Sequence, residues 1–186
     1  GQMRNRGVDA SLAFGGTLAN GIGWDVNLNG SHYRNEIIRI DGDQQQFSGP
    51  TAGRAGTMVM NRIGHPIGAF YGYKVDGFYQ SQAEIDQLNE NARQQSGRSD
   101  ALYFAGAAPG RIRFSDVNGD GLVDADDRTI IGSPHPDFTG GLNLNLRWNN
   151  WDLATDIFGT FGNDIWEMQK EFYVFRMFPT NVRRDL

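Results

Sequence analysis

The chain has 186 residues, a formal net charge of −5, 25 glycines and no cysteine. The acidic balance removes any electrostatic ground for binding nucleic acid, and the lack of cysteine excludes disulfides and thiolate metal sites. No apolar run reaches the ~18 residues of a transmembrane helix, and no signal peptide opens the chain.

The first element is a hairpin. Val8, Ala10, Leu12, Phe14, Gly16 and Leu18 share one parity, and Asp9, Ser11, Ala13, Gly15 and Thr17 the other. A short turn at Ala19–Gly21 leads to Ile22, Trp24, Val26, Leu28 and Gly30 against Gly23, Asp25, Asn27, Asn29 and Ser31. A period of two marks strands with one apolar face, so residues 1–34 are expected to form a barrel hairpin.

Residues 35–137 separate this hairpin from its twin. A span of about a hundred residues exceeds ordinary loop lengths and must carry structure of its own. Within it, the run from Gly64 to Tyr79 reads as a turn and an aromatic-rich strand. Ser81-x-x-Glu84 is a capping box; behind it Ile85, Leu88 and Ala92 share a helical face, and Gly97 can stop the helix. The polar stretch from Asn91 to Asp100 is expected to be mobile. Arg111, Arg113 and Phe114 alternate with Ile112 and Ser115 like a strand.

The next segment carries chemistry. The twelve residues from Asp116 to Asp127 match a calcium loop, in which a hard cation takes six to eight oxygens from positions 1, 3 and 5, a backbone carbonyl at 7 and a carboxylate at 12. Here these are Asp116, Asn118, Asp120, Leu122 and Asp127, with Gly121 at the sharp turn of position 6 and Asp124 at position 9, binding directly or through water. Asp127 replaces the usual glutamate, as in the dockerin form of the loop. The alternative is an Asx-rich turn that caps its own backbone. With no helix pattern before it, a structural Ca²⁺ is expected rather than a helix–loop–helix switch.

A second hairpin follows over residues 138–162. Phe138, Gly140, Leu142, Leu144, Leu146 and Trp148 alternate with Thr139, Gly141, Asn143, Asn145 and Arg147; after Asn149–Asn150 come Trp151, Leu153, Thr155 and Ile157 against Asp152, Ala154, Asp156 and Phe158. Eleven residues at ~3.3 Å each, tilted ~45°, rise roughly 26 Å, close to the apolar band of an outer-membrane barrel. Trp24, Trp148 and Trp151 near the short turns suit an interfacial aromatic girdle. Both short turns then lie on the periplasmic side, which makes residues 35–137 extracellular. Residues 163–186 are expected to form a further extracellular loop, with a helix from Asn163 to Phe175 ahead of Pro179. A soluble β-sandwich, or a calcium-stabilised binding module, is the alternative to a barrel wall.

Enzymatic chemistry finds no support. His32, His65 and His135 are far apart in sequence, and the last two precede prolines in turns. No nucleophile elbow, P-loop or zinc-binding helix motif is present. Asp25, Asp152 and Asp156 sit on the polar parity, where lining a lumen explains them better than general acid catalysis.

The run Gly64-His65-Pro66-Ile67-Gly68-Ala69-Phe70-Tyr71-Gly72-Tyr73 with Asp76-Gly77 resembles the "G-x-P-x-G-x-F-Y-G-Y…D-G" segment of the SusC/RagA-like TonB-dependent outer-membrane transporters of Bacteroidota. Pro109-Gly110-Arg111-Ile112, the Asp116–Gly121 run, Asp127-Arg128-Thr129-Ile130-Ile131-Gly132 and Pro136-x-Phe138-x-Gly140-Gly141 follow in the same family's order. Arg111 stands where the family usually has Asp. The resemblance implies an antiparallel transmembrane β-barrel of roughly 22 strands with a plug that contacts TonB. It also implies a SusD-like surface lipoprotein as partner, and an oligosaccharide or peptide as cargo. This chain resembles part of the barrel's C-terminal half. It shows no plug or TonB box, its four clear strands cannot close a barrel, and Arg183-Arg184-Asp185-Leu186 does not resemble an aromatic-ended final strand. An incomplete barrel is therefore expected. Phe70, Tyr71 and Tyr73 are candidates for stacking on a sugar or for packing.

Overall fold

A computed structural model describes residues 1–52 and 56–168. In chain order the strands are β1 (Gln2–Thr17), β2 (Gly23–Arg39), β3 (Gln46–Ser48), β4 (Thr51–Ala52), β5 (Gly56–Thr57), β6 (Val59–Arg62), β7 (Ala69–Tyr73) and β8 (Val75–Phe78). Helix α1 (Gln82–Ser96), β9 (Ile112–Phe114), β10 (Arg128–Gly132), β11 (Phe138–Trp148) and β12 (Trp151–Phe161) complete the list, with a 3-10 turn at Ala125–Asp127. The chain is mainly β, its strand pairings are antiparallel, and no sheet closes on itself among the described residues.

The described residues of 5–35 and 133–168 form one unit, and those of 1–4 and 36–132 the other. The first unit is the expected pair of hairpins, joined as the sheet β1-β2-β11-β12. The two-residue turn between β11 and β12 sets Trp148 opposite Trp151, and the register then runs without a break to Phe138 opposite Phe161. Asn149 makes that turn with a φ of 51°, a left-handed conformation asparagine tolerates better than most residues. In the other turn Asn20 Oδ1 accepts from the Ile22 amide at 3.3 Å, and Gly21 takes a φ of 81°. β2 pairs with β11 from Thr139 opposite Ser31 to Arg147 opposite Gly23. No described residue of this unit is buried.

The second unit holds the core. The sheet β10-β7-β6-β3 and helix α1 belong to it, with the ribbons β4-β5 and β8-β9. Ile37, Met58, Met60, Ala69, Tyr79, Ile85, Ala92, Ala101 and Val123 are its buried hydrophobic residues. Helix α1 starts where the sequence places it: Ser81 caps it by accepting from the Glu84 amide at 3.2 Å. It ends at Gly97, whose φ of 68° is the left-handed cap. Glu84 reaches back one residue beyond the cap and accepts from the Gln80 amide at 2.7 Å.

Two expectations need correction. Of the stretch Asn91–Asp100, expected to be mobile, Asn91–Ser96 is the last part of α1; Ala92 is fully buried, and Gln87–Asn91 and Gln94–Glu90 contacts lace the exposed side. From Asn163 to Met168 the described chain carries no helix, and the rest of that proposed helix lies outside the described residues.

Candidate functional site

The four-stranded sheet has two chemically distinct faces, set by alternation and held in register by the ladders. On one face, Leu28, Leu142 and Ile157 form a row, then Val26, Leu144 and Thr155, then Trp24, Leu146 and Leu153. Trp148 and Trp151 close this face at the short-turn end. At the far end Phe138 and Phe161 sit opposite each other, ring centroids 6.3 Å apart. Glycines underlie these rings. A Cβ on Gly30 or Gly140 would come within 2.9 Å of Phe138, and one on Gly159 within 3.2 Å of Phe161. An apolar band of leucine, valine and isoleucine is thus bordered by aromatics at both ends. The turn-side tryptophans are legible from sequence alone. Phe161 is found only by counting back from the two-residue turn, which fixes it opposite Phe138.

The other face is polar. Asn143 bonds to Asp156, and Arg147 pairs with Asp25. Ser11 donates to Asn27 at 3.2 Å, and Ser31 and Thr139 share a hydrogen bond of 2.6 Å. Asp25 and Asp156 are therefore held in hydrogen-bonded cross-strand pairs, not poised against a nucleophile. Leu12 and Leu28, on the apolar face, are 58% and 41% exposed. Nothing among the described residues covers that face.

The Asp-rich loop lies in the other unit. Asp116 accepts from the Gly119 and Gly121 amides at 2.6 and 2.7 Å. Asp120 takes the Leu122 amide at 2.9 Å, and Asn118 the Asp120 amide at 2.9 Å. Asp124 caps the 3-10 turn by accepting from Asp126 at 2.9 Å. Asp127 has no exposed surface. Its oxygens accept from Val117 at 2.7 Å, Asn118 at 3.4 Å and Asp124 at 2.8 Å. Gly121 turns with a φ of 87° against Gln95 of α1, and Leu122 follows, half-buried, at the carbonyl position. The six residues singled out from sequence thus occupy one loop, and their oxygens are of the hard kind that suits Ca²⁺. The five side chains cap backbone amides in this arrangement, and among the described residues no three acidic or histidine side chains converge on a cation position.

Close to the loop, Tyr103 donates its hydroxyl to the Phe114 carbonyl at 2.8 Å and its backbone amide to Asn89 Oδ1 at 2.9 Å. Arg113 of β9 binds Glu84 and, at 3.0 Å, Asp76, which ties β8, β9 and α1 together. Glu84 is held below the ordinary carboxylate range, chiefly by the Gln80 amide, while burial opposes and Arg113 and Ser81 assist. Burial pushes the Tyr79 hydroxyl up. Tyr71 and Tyr73 lie under the Arg128 guanidinium, 4.7 and 5.9 Å from its carbon, and Tyr73 packs on Phe114 at 5.2 Å. The aromatic segment is therefore engaged in packing.

No family model matches the chain. It is 30% identical over 168 residues to TonB-dependent receptor P3 of Formosa agariphila, across 89% of this chain and 16% of that protein. It is 23% identical over 172 residues to TonB-dependent receptor SusC of Bacteroides thetaiotaomicron, across 89% of this chain and 15% of SusC. The chain thus spans about a sixth of the length of these curated relatives. Among solved structures, a chain of the RagAB peptide importer in its open-open state superposes with a TM-score of 0.57 at 22% identity, covering 87% of this chain and 15% of that one. Over about nine-tenths of its length the chain that folds into this two-faced sheet is thus homologous to a segment of proteins named TonB-dependent receptors, SusC among them.

Proposed function

We propose that residues 5–35 and 138–161 are lipid-facing wall of an outer-membrane transport barrel in a Gram-negative, Bacteroidota-type cell. On this reading, residues 36–132 form structure on the extracellular side. One observation carries it: a sheet with an apolar face bordered by aromatics at both ends, an opposite polar face, and no buried residue. In water such a face would be driven to cover itself. A soluble sandwich would bury Leu12, Leu28 and Leu142 under a second layer, and the described sheet has none. Phe138 to Trp148 spans ten steps, roughly 23 Å at a 45° tilt, which matches an apolar band of about 25 Å.

The likeness to SusC and to a chain of the RagAB peptide importer supports TonB-driven uptake of an oligosaccharide or a peptide. It likewise supports a SusD-like lipoprotein on the outer side and a TonB contact through a plug. The polar face would line the lumen, with the Arg147–Asp25 pair among its groups. The Asp-rich loop is proposed to take a structural Ca²⁺ held by Asp116, Asn118, Asp120, the Leu122 carbonyl, Asp124 and Asp127. Its donor order and its acidic charge support that reading.

The test of the wall is tryptophan fluorescence in vesicles containing lipids brominated along the acyl chain. Trp24, Trp148 and Trp151 should be quenched, and changing all three to Phe should remove most of the effect. Unquenched tryptophans in the reconstituted protein would overturn the wall reading.

A further inference from the structure

Beyond the Phe138 row, the apolar parity does not end in apolar residues. Contacts between β1 and β2 keep one register along the hairpin. Asn5 and Asn35 share a hydrogen bond of 2.6 Å, a Cβ on Gly7 would strike Tyr33, one on Gly15 would meet Asp25, and one on Gly16 would lie against Trp24. That register sets Val8 beside His32 and Arg6 beside Arg34, all on the face that carries Trp24 and Leu28. Extended one residue beyond Thr139–Ser31, the β2–β11 ladder brings Phe138 level with His32, and the His32 ring bonds to the Asp137 carbonyl. The next row out, about 7 Å further along the strands, holds Arg6 and Arg34.

Two arginines directly opposite each other on one face repel. Both are exposed, and neither has an ion pair or hydrogen bond among the described residues. Asp9, the nearest carboxylate in sequence to Arg6, points to the other face, where it holds Tyr33, and Glu36, the nearest to Arg34, pairs with Arg4 at 2.6 Å one row further out. An arginine on a lipid-facing parity is costly at mid-depth and nearly free at the interface. One row past an aromatic border is the depth at which its stem lies along apolar surface while its guanidinium reaches the headgroups. Two guanidinium forks side by side suit the paired oxygens of a phosphate.

We propose that Arg6 and Arg34 form a docking site for the phosphate of a phosphorylated glycolipid in the outer leaflet. This inference rests on the wall reading, since the lipid must reach that face. Phosphate binding would relieve the repulsion between the two arginines and fix the depth of the β1–β2 hairpin in the membrane.

The experiment uses the native protein that carries these residues, reconstituted in phosphatidylcholine with diphosphoryl lipid A as probe. Native mass spectrometry counts the retained glycolipid. The wild type should retain it, and Arg6→Gln/Arg34→Gln should retain about tenfold less. Lys74→Gln, a charge removed elsewhere, should leave retention unchanged. Equal retention by the wild type and the double variant overturns the proposal, as does an equal loss with Lys74→Gln. Retention of fully dephosphorylated glycolipid at the same level overturns the phosphate contact, and release by millimolar inorganic phosphate alone would reassign the site to a free anion. Bromolipid quenching in the same samples separates the two readings. Quenched tryptophans with unchanged retention sink only the arginine site, whereas unquenched tryptophans sink both.

Discussion

A carboxylate with no exposed surface needs donors, and Asp127 finds three backbone amides, from Val117, Asn118 and Asp124. Leaving such amides bare costs about 1–3 kcal/mol apiece in buried surroundings, which explains why an aspartate can sit there without a paired cation. The other loop aspartates, Asp116, Asp120, Asp124 and Asp126, crowd negative charge onto one exposed turn, and a divalent ion would neutralise it. Calorimetric titration with CaCl₂ should therefore release or absorb heat with an affinity on the order of 10⁻⁴ to 10⁻³ M, typical of extracellular loops. Asp120→Ala should abolish that signal. Equal heat from both proteins would remove calcium from the loop and leave the self-capped turn as its whole explanation. The order of donors was legible in the sequence. So was the possibility that they turn onto the loop's own amides, but not the choice between the two, because one Asx pattern serves both purposes.

At the scale of the element, α1 shows how side chains decide where a helix ends. Its second half is polar, so the hydrophobic pattern fades after Ala92, yet the helix continues to Ser96 on one buried alanine, i to i+4 side-chain contacts and the glycine cap. Ser81 and Gly97 were readable as its ends. The clamp of Arg113 on Glu84 and Asp76 was not, since it joins residues 29 and 37 positions apart. Glu84 gives this clamp a pH signature. Its folded carboxyl titrates below the unfolded one, so the unfolded chain binds more protons and stability rises with pH. The stabilisation is complete above the unfolded carboxyl value, about 4.3, and is lost as pH falls through the lower folded value. Thermal melts of wild type and Glu84→Gln should differ most at neutral pH and converge in acid. A constant gap across that range would show that the carboxylate charge contributes nothing.

For the whole molecule, the two units differ in how much they bury. The unit of residues 36–132 buries Ala69, Tyr79, Ile85 and Ala92 in its own core. The sheet unit buries nothing among its described residues, and on the wall reading proposed above lipid supplies the cover its apolar face lacks. Hydrogen exchange should register the difference. Dilution of the detergent around the native protein should cost the amides of β11 and β12 their protection first, while those of β6, β7 and α1 hold. Simultaneous loss in both units would mean that they unfold as one. The hairpins of the sheet were readable because a period of two over eleven residues has few other meanings. The short strands β3 to β6 were not, because pieces of two to four residues leave no period to detect. β2 ran on to Arg39 because its ladder continues past the point where its apolar alternation stops.

The unbroken register from Trp148–Trp151 to Phe138–Phe161 has a genetic consequence. Even and odd positions are read by different environments, so substitutions at Asn143, Asn145 or Asp156 can vary what one face presents while the other keeps its composition. A single-codon insertion or deletion within β11 does something no substitution can. It moves every later side chain to the opposite face at once, placing leucines on the polar face and asparagines on the apolar one. Strands of this kind should therefore drift freely in sequence at alternate positions and hardly at all in length, with length changes confined to the turns and to the structure outside the sheet.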